Sequence, residues 1–194
     1  MKVAIIKYNA GNVRSVENAI ERLGVESVVT DDPAVLLSAE RIVFPGVGEA
    51  SSAMEHLAER GVDKIVKELK QPVLAICLGM QLLCGRSEEN DTECLGLLPY
   101  IVRRFASDDL TVPHMGWNNI AELRSPLFDG ISERERMYFV HSYYVEHNDN
   151  TTAAAEYGIK FSAAVSTGNF YAVQFHPEKS GEAGSRILKN FLEL

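Results

Sequence analysis

The chain has no basic excess, only three cysteines, and no apolar run near the length of a membrane span. Its 27 acidic and 19 basic side chains give a net charge of −8 with neutral histidine. Such a surface has no cationic surplus to release counterions from a phosphate backbone, which makes a poor general nucleic-acid binder and leaves only a local basic patch for that purpose. Cys77, Cys84 and Cys94 are odd in number and too few for a disulfide framework, and they point to a reducing compartment. No Cys-x-x-Cys or His-x-x-x-His spacing occurs, so a metal site has little support. The apolar start Val3-Ala4-Ile5-Ile6 stops at Lys7. It is too short for a signal-peptide core or a membrane span, and a soluble cytoplasmic chain with no membrane contact is expected. Internal repeats, low-complexity tracts and Pro/Ser-rich linkers are also missing, so a single domain over residues 1–194 is expected.

What is present is an ordinary globular composition, 46% hydrophobic and 24% charged, in a chain long enough to bury about 70% of its unfolded surface. Val3 to Ile6, Val25 to Val29, Ile42 to Phe44 and Pro72 to Ile76 read as strands, the apolar runs being typical of strands buried on both faces. Between them Val13, Val16, Ile20 and Leu23 recur at helical spacing, as do Ala53, Met54, Leu57 and Ala58, then Val62, Ile65, Val66 and Leu69. This alternation predicts an α/β fold with a mostly parallel sheet flanked by helices. The second half adds short strand-like runs at 117–121, 137–140, 143–145, 153–157, 163–165 and 170–174, which suggest antiparallel ribbons joined to the sheet. A last helix carries Ile187, Leu188, Phe191 and Leu192 after Gly181 and Gly184.

Ligands of parallel α/β sheets sit at the carboxyl ends of the strands, which directs attention to the loops after Phe44 and Ile76. Ile76-Cys77-Leu78-Gly79-Met80-Gln81 has the layout of a nucleophile elbow, a sharp strand-to-helix turn that exposes its central residue. A helix N-terminus there favours thiolate and offers backbone N–H groups to an oxyanion. The plainer alternative is a small core cysteine, and Cys84 and Cys94, without such a setting, read as structural. Among the five histidines, His56 lies between glutamates on a solvated helix face and His147 lies in a turn. His176 ends an apolar strand and precedes Pro177-Glu178, so imidazole and carboxylate, two residues apart in an extended segment, would point to one side. Pro45-Gly46-Val47-Gly48 follows a buried strand, and its glycines let backbone approach a ligand.

Together, Pro45-Gly46-Val47-Gly48, Cys77-Leu78-Gly79-Met80-Gln81 and Gln174-Phe175-His176-Pro177-Glu178 resemble the class I, or triad, glutamine amidotransferases. The resemblance implies their flavodoxin-like sheet, Cys77 as nucleophile, His176 as base and acid, and Glu178 as its orienter. It also implies Gly46, Val47 and Leu78 as the oxyanion region, and Gln81, Ser142 and Tyr143 as the holder of the amino-acid end of L-glutamine. Neither metal nor organic cofactor is implied. Tyr8-Asn9-Ala10-Gly11-Asn12, Pro113 to Asn118, His141-Ser142-Tyr143-Tyr144 and Lys179-Ser180-Gly181 are similar to the histidine-biosynthetic branch of that family. That branch implies a heterodimer with a separate (β/α)₈-barrel cyclase subunit, which uses the ammonia to form imidazole glycerol phosphate and an aminoimidazole carboxamide ribonucleotide. Asn12, Trp117, Tyr138 and Lys179 are then expected on the partner-facing surface. Lys7, where the family often carries an acid, is the one departure and lies outside the triad. Rival readings are a cysteine-elbow hydrolase or redox sensor, a non-catalytic regulatory subunit, and an anthranilate- or aminodeoxychorismate-type amidotransferase subunit.

Overall fold

The computed structural model describes residues 1–106 and 110–194. In chain order the strands are β1 Val3–Ile6, β2 Ser27–Thr30, β3 Arg41–Phe44, β4 Val73–Ile76, β5 Arg86–Ser87, β6 Thr92–Glu93, β7 Ile101–Arg104, β8 His114–Asn119, β9 Arg136–His141, β10 Tyr143–Val145, β11 Thr151–Tyr157, β12 Ile159–Thr167 and β13 Phe170–Val173. The helices are α1 Val13–Glu21, α2 Pro33–Ser38, α3 Ala50–Glu59, α4 Val62–Glu68, α5 Leu78–Leu82 and α6 Gly181–Leu192.

The central sheet runs β11-β12-β13-β4-β3-β1-β2. From β13 to β2 all neighbours are parallel, and β11 and β12 are added antiparallel. Of the expected ribbons only β11–β12 joins this sheet, beside β13, which is antiparallel to β12 but parallel to β4; β8 and β9 pair as a separate two-stranded ribbon, and β10 pairs with β7 in a separate sheet with β5 and β6. Strands β1 and β4 are buried on both faces, as their unbroken apolar runs require. Their alternate side chains feed two cores. Val3 and Ile5 pack with Ile20, Phe139, Phe175 and Ile187 on one side, while Ala4 and Ile6 pack with Leu57, Val66 and Met80 on the other. Burying each large apolar side chain contributes about 1.5–3 kcal/mol. Edge strand β2 is only half covered, and Val28 is exposed.

The order β13-β4-β3 brings Val173, Ile76 and Phe44 together at the carboxyl ends of three interior strands. The loop 45–48, the turn at Cys77 and the segment after β13 consequently converge. The Cys77 backbone N–H donates to the Val173 carbonyl at 2.7 Å, and the His176 N–H donates to the Tyr138 carbonyl of β9 at 2.9 Å. Helix α6 starts at Gly181 rather than after Gly184. A Cβ at Gly184 would fall 2.0 Å from the Pro177 carbonyl, so the helix seats directly on the turn that follows His176.

Candidate active site

Cys77 adopts φ 53°, ψ −109° between β4 and α5, a conformation few side-chain-bearing residues accept. The turn is tight because a Cβ at Gly79 would lie 2.3 Å from the Phe44 carbonyl. The Cys77 Sγ receives an N–H from the Gln174 amide at 3.6 Å. Cys84 and Cys94 have different surroundings: burial pushes their thiols up to about 12 and about 11, aided by the charge of Cys94 on the first and of Glu89 on the second. Neither is a thiolate near neutral pH.

His176 and Glu178 are brought together by a 3₁₀ turn over Pro177–Lys179, not by the extended segment expected from sequence. His176 Nδ1 lies 2.8 Å from Glu178 Oε1, and both side chains are fully buried. Burial opposes the imidazolium, but the adjacent Cys77 and the Glu178 carboxylate outweigh it and raise His176 to about 10. Burial likewise opposes the Glu178 carboxylate. His176, the Asn12 amide and the residue's own backbone N–H reverse this and hold it below the usual range. With Nδ1 engaged by Glu178, Nε2 is the nitrogen left for Cys77, and it is buried with no other partner.

Asn12 is not on an outer surface as expected. It is 4% exposed, and its Nδ2 donates to Glu178 Oε1 at 3.0 Å. Nothing local in the sequence reveals this contact, which spans 166 positions. Trp117 and Tyr138 are cross-strand partners on the β8–β9 ribbon with ring centroids 5.9 Å apart, Trp117 being half exposed. Lys179 is exposed at the rim of the cavity described below.

The expected oxyanion donors are present but not free. The Leu78 N–H donates to the Gly46 carbonyl at 3.3 Å. In a trans peptide the N–H points opposite the carbonyl, so the Val47 N–H of the same unit is directed away from that oxygen. Gly46 admits no side chain, since a Cβ would lie 2.4 Å from Gly79 N and 2.8 Å from the Tyr8 hydroxyl. Tyr8 anchors the preceding peptide by donating to the Pro45 carbonyl at 2.5 Å. Burial, with Cys77 beside it, pushes the Tyr8 hydroxyl far above the ordinary tyrosine range and keeps it a donor.

A cavity of about 480 Å³ opens onto Cys77. Val47, Leu78, Gln81, Ser142 and Tyr143 line it, so the structure gathers these five sequence candidates around the thiol. Gln81 Nε2 is committed twice, to the Tyr143 carbonyl at 2.9 Å and to Gln174 Oε1 at 3.0 Å. Gln81 can therefore offer only its carbonyl oxygen. Glu89 also lines the cavity and was missed in the sequence, where it sits in an acid-rich stretch that reads as solvated surface. Its carboxylate accepts the Ala50 N–H at 2.7 Å, and burial raises its pKa. Gln81 and Glu89 together give the cavity an acceptor side suited to an ammonium group. A groove of about 560 Å³, lined by Arg22, Arg186 and Lys189, lies beyond the His176 turn and reaches no thiol.

Among the described residues no group of three or more His, Cys, Asp or Glu side chains is placed to share a metal ion, and no helix is long and apolar enough to cross a membrane.

The family profile described as glutamine amidotransferase class-I matches residues 4–194. The imidazole glycerol phosphate synthase subunit HisH of Bacteroides fragilis (strain YCH46) is 59% identical over 196 residues, covering all of both chains. The Bacteroides thetaiotaomicron protein of the same name is 54% identical with the same coverage. The Vibrio cholerae one is 48% identical over 99% of this chain and 98% of its own. Among solved structures, a glutamine amidotransferase covers 98% of this chain and 97% of its own at TM-score 0.76 and 21% identity. The PurLQS structure from Thermotoga maritima covers 99% and 97% at TM-score 0.74 and 21% identity, and at this distance the likeness is one of fold.

Proposed function

Because this chain belongs to the class-I glutamine amidotransferase family, we propose that it is the glutaminase subunit of an imidazole glycerol phosphate synthase, acting in histidine biosynthesis. The observation that carries the reading is the joining of Cys77, His176 and the buried Glu178 at the ends of adjacent strands β4 and β13, with Cys77 facing a cavity that has an acceptor side. The full-length similarity to proteins named as that synthase's HisH subunit narrows the family to this branch.

The Cys77 thiolate attacks the side-chain amide carbon of L-glutamine, and the carbonyl π electrons move onto oxygen. His176 Nε2–H gives its proton to the departing nitrogen, the C–N bond breaks, and ammonia leaves a thioester on Cys77. His176 then takes a proton from water as the water attacks the thioester. The C–S bond breaks, releasing glutamate and restoring the thiolate. Glu178 holds the imidazole by Nδ1 and stabilises its charged form. Gln81 and Glu89 receive the substrate's α-ammonium, beside Ser142 and Tyr143. Leu78 and the Gly46–Val47 segment supply the oxyanion donors once the peptide between Gly46 and Val47 has turned.

Ammonia released into water would protonate and diffuse away, so the product is used by a partner. In this reading the partner is a cyclase subunit with a (β/α)₈ barrel in a cytoplasmic heterodimer. It docks beside Trp117, Tyr138 and Lys179, and residues 1–194 act as one glutamine amidotransferase domain. The test is to mix the purified chain with a histidine-pathway cyclase and follow imidazole glycerol phosphate formed from glutamine. Formation dependent on both proteins and on Cys77 supports the reading. A wild-type mixture that makes product from ammonium salt but none from glutamine overturns it.

A further inference from the structure

The mechanism above leaves two buried histidines without a role. His114 and His141 face each other across the β8–β9 ladder and are 4% and 6% exposed. His141 Nδ1 lies 2.7 Å from the Tyr143 carbonyl. A carbonyl only accepts, so this nitrogen carries the proton and Nε2 of neutral His141 is a lone pair. His114 Nδ1 lies 3.0 Å from that Nε2 and must therefore be the donor. His114 Nε2 is then an acceptor, and it faces the Asn118 Nδ2 at 3.4 Å.

The Asn118 amide cannot turn over without loss. Its Nδ2 also donates to the Glu156 carbonyl at 2.8 Å, and its oxygen accepts the Asn119 N–H at 2.8 Å. The His114 ring cannot easily swing either. It is stacked between Tyr157, at 4.1 Å and 20°, and Phe139, at 5.0 Å and 25°. Every donor in the row from Asn118 to Tyr143 thus points the same way. The Tyr143 carbonyl, taking His141 on one side and Gln81 Nε2 on the other, has both lone pairs filled.

We propose that His114 and His141 are positioning residues of the cavity: through a hydrogen-bond row of fixed polarity they hold the Tyr143 carbonyl, and with it the Gln81 amide, so that Gln81 shows its oxygen to an α-ammonium ligand. This rests on the glutamine reading of the cavity. Reversing the His114 tautomer would set two lone pairs together unless His141 reversed as well, and a reversed His141 would set its Nδ1 lone pair against the Tyr143 carbonyl, freeing the Gln81 amide to turn its nitrogen toward the same ammonium. The imidazoles touch no reacting atom, and their influence falls on substrate binding.

Two measurements test this. Long-range ¹H–¹⁵N spectra of the wild-type chain should show protonated Nδ1 and unprotonated Nε2 on both His114 and His141. A protonated Nε2 on His141 overturns the proposal. In the complex with the cyclase, His114→Phe keeps an aromatic ring in the stack but removes the donor. It should raise the glutamine KM about tenfold, the worth of one buried hydrogen bond, while kcat changes by less than about twofold. Synthesis from ammonium salt should stay at the wild-type rate. His114→Asn, which restores a donor near the Nδ1 position, should bring KM back to within about threefold of wild type. A His114→Phe complex with wild-type KM, or one that loses kcat with KM unchanged, overturns the positioning role alone. A wild-type complex that turns over no glutamine removes the glutaminase reading instead.

Discussion

The backbone N–H of Leu78 and the carbonyl oxygen of Gly46 are joined at 3.3 Å, so the group expected to stabilise a substrate oxyanion is spent on the segment expected to help it. Tyr8 pins the Pro45 carbonyl and so holds the peptide before Gly46, while the peptide between Gly46 and Val47 is the one whose carbonyl occupies Leu78. Turning that peptide would release Leu78 and bring the Val47 N–H round. The free chain is therefore expected to be a poor glutaminase, by about 10²–10³-fold for a missing donor. The cyclase with an acceptor analogue should restore the rate. Steady-state hydrolysis by the chain alone, with partner, and with partner plus analogue checks this, and equal kcat in all three would sink it. Lys179→Ala should weaken the stimulation more than it weakens glutamine binding.

Cys77→Ala should abolish glutamine-dependent synthesis, a loss of at least about 10³-fold, and leave synthesis from ammonium salt intact. Cys84 is buried and held as a thiol. Cys84→Ala should keep kcat and cost only packing, about 1–2 kcal/mol in a urea titration. Loss of kcat in a folded Cys84→Ala variant would contradict the assignment of the nucleophile.

His176 moves protons in both half-reactions, whereas Glu178 positions it and Asn12 positions Glu178. The expected order of damage to kcat is His176→Ala, then Glu178→Gln, then Asn12→Ala, the last costing about tenfold as one lost charge-assisted hydrogen bond. Because Asn12 is buried, Asn12→Ala should leave partner affinity within about threefold of wild type. A large drop in affinity with normal kcat would return Asn12 to the docking surface.

Stability should fall on acidification, and the sign follows from the histidines. Burial lowers His114 to about 4, and His141 to about 3 with further help from the charges of His114 and His176. In the unfolded chain both titrate near 6.5. Between these values the unfolded chain binds more protons, so stability is lost as pH drops from about 6.5 toward 4. Glu178, lowered when folded, adds a loss below about 4.5. His176 is protonated in both states over the lower part of this range and adds little slope there. Urea titrations between pH 7 and 4 should reveal a loss on the order of 3 kcal/mol for each of the two histidines, and His114→Phe should make the curve shallower. An unchanged slope in that variant would count against the buried pair as its source.

The parallel sheet was readable because β1, β3 and β4 are buried on both faces and appear as short unbroken apolar runs. The elbow was readable because Gly79 is required by its approach to Phe44. Helix α2 was not, since its six residues bury only Leu36, and neither were the two-residue strands β5 and β6. The site was legible where its chemistry is local, at Cys77 and His176-Pro177-Glu178. It was not legible where a distant side chain completes it. Asn12 looks like any turn asparagine until the fold carries it to Glu178, and Gln174 stands in a quoted motif without showing that its amide reaches sulfur.

The left-handed backbone at Cys77 ties survival of the chemistry to a mechanical defect. Holding a side-chain-bearing residue at φ 53°, ψ −109° costs about 1–3 kcal/mol, and glycine would relieve most of it. The most comfortable occupant of that position is thus the one that cannot react. A lineage released from the need for glutamine-derived nitrogen would drift downhill, gaining robustness as it lost its nucleophile.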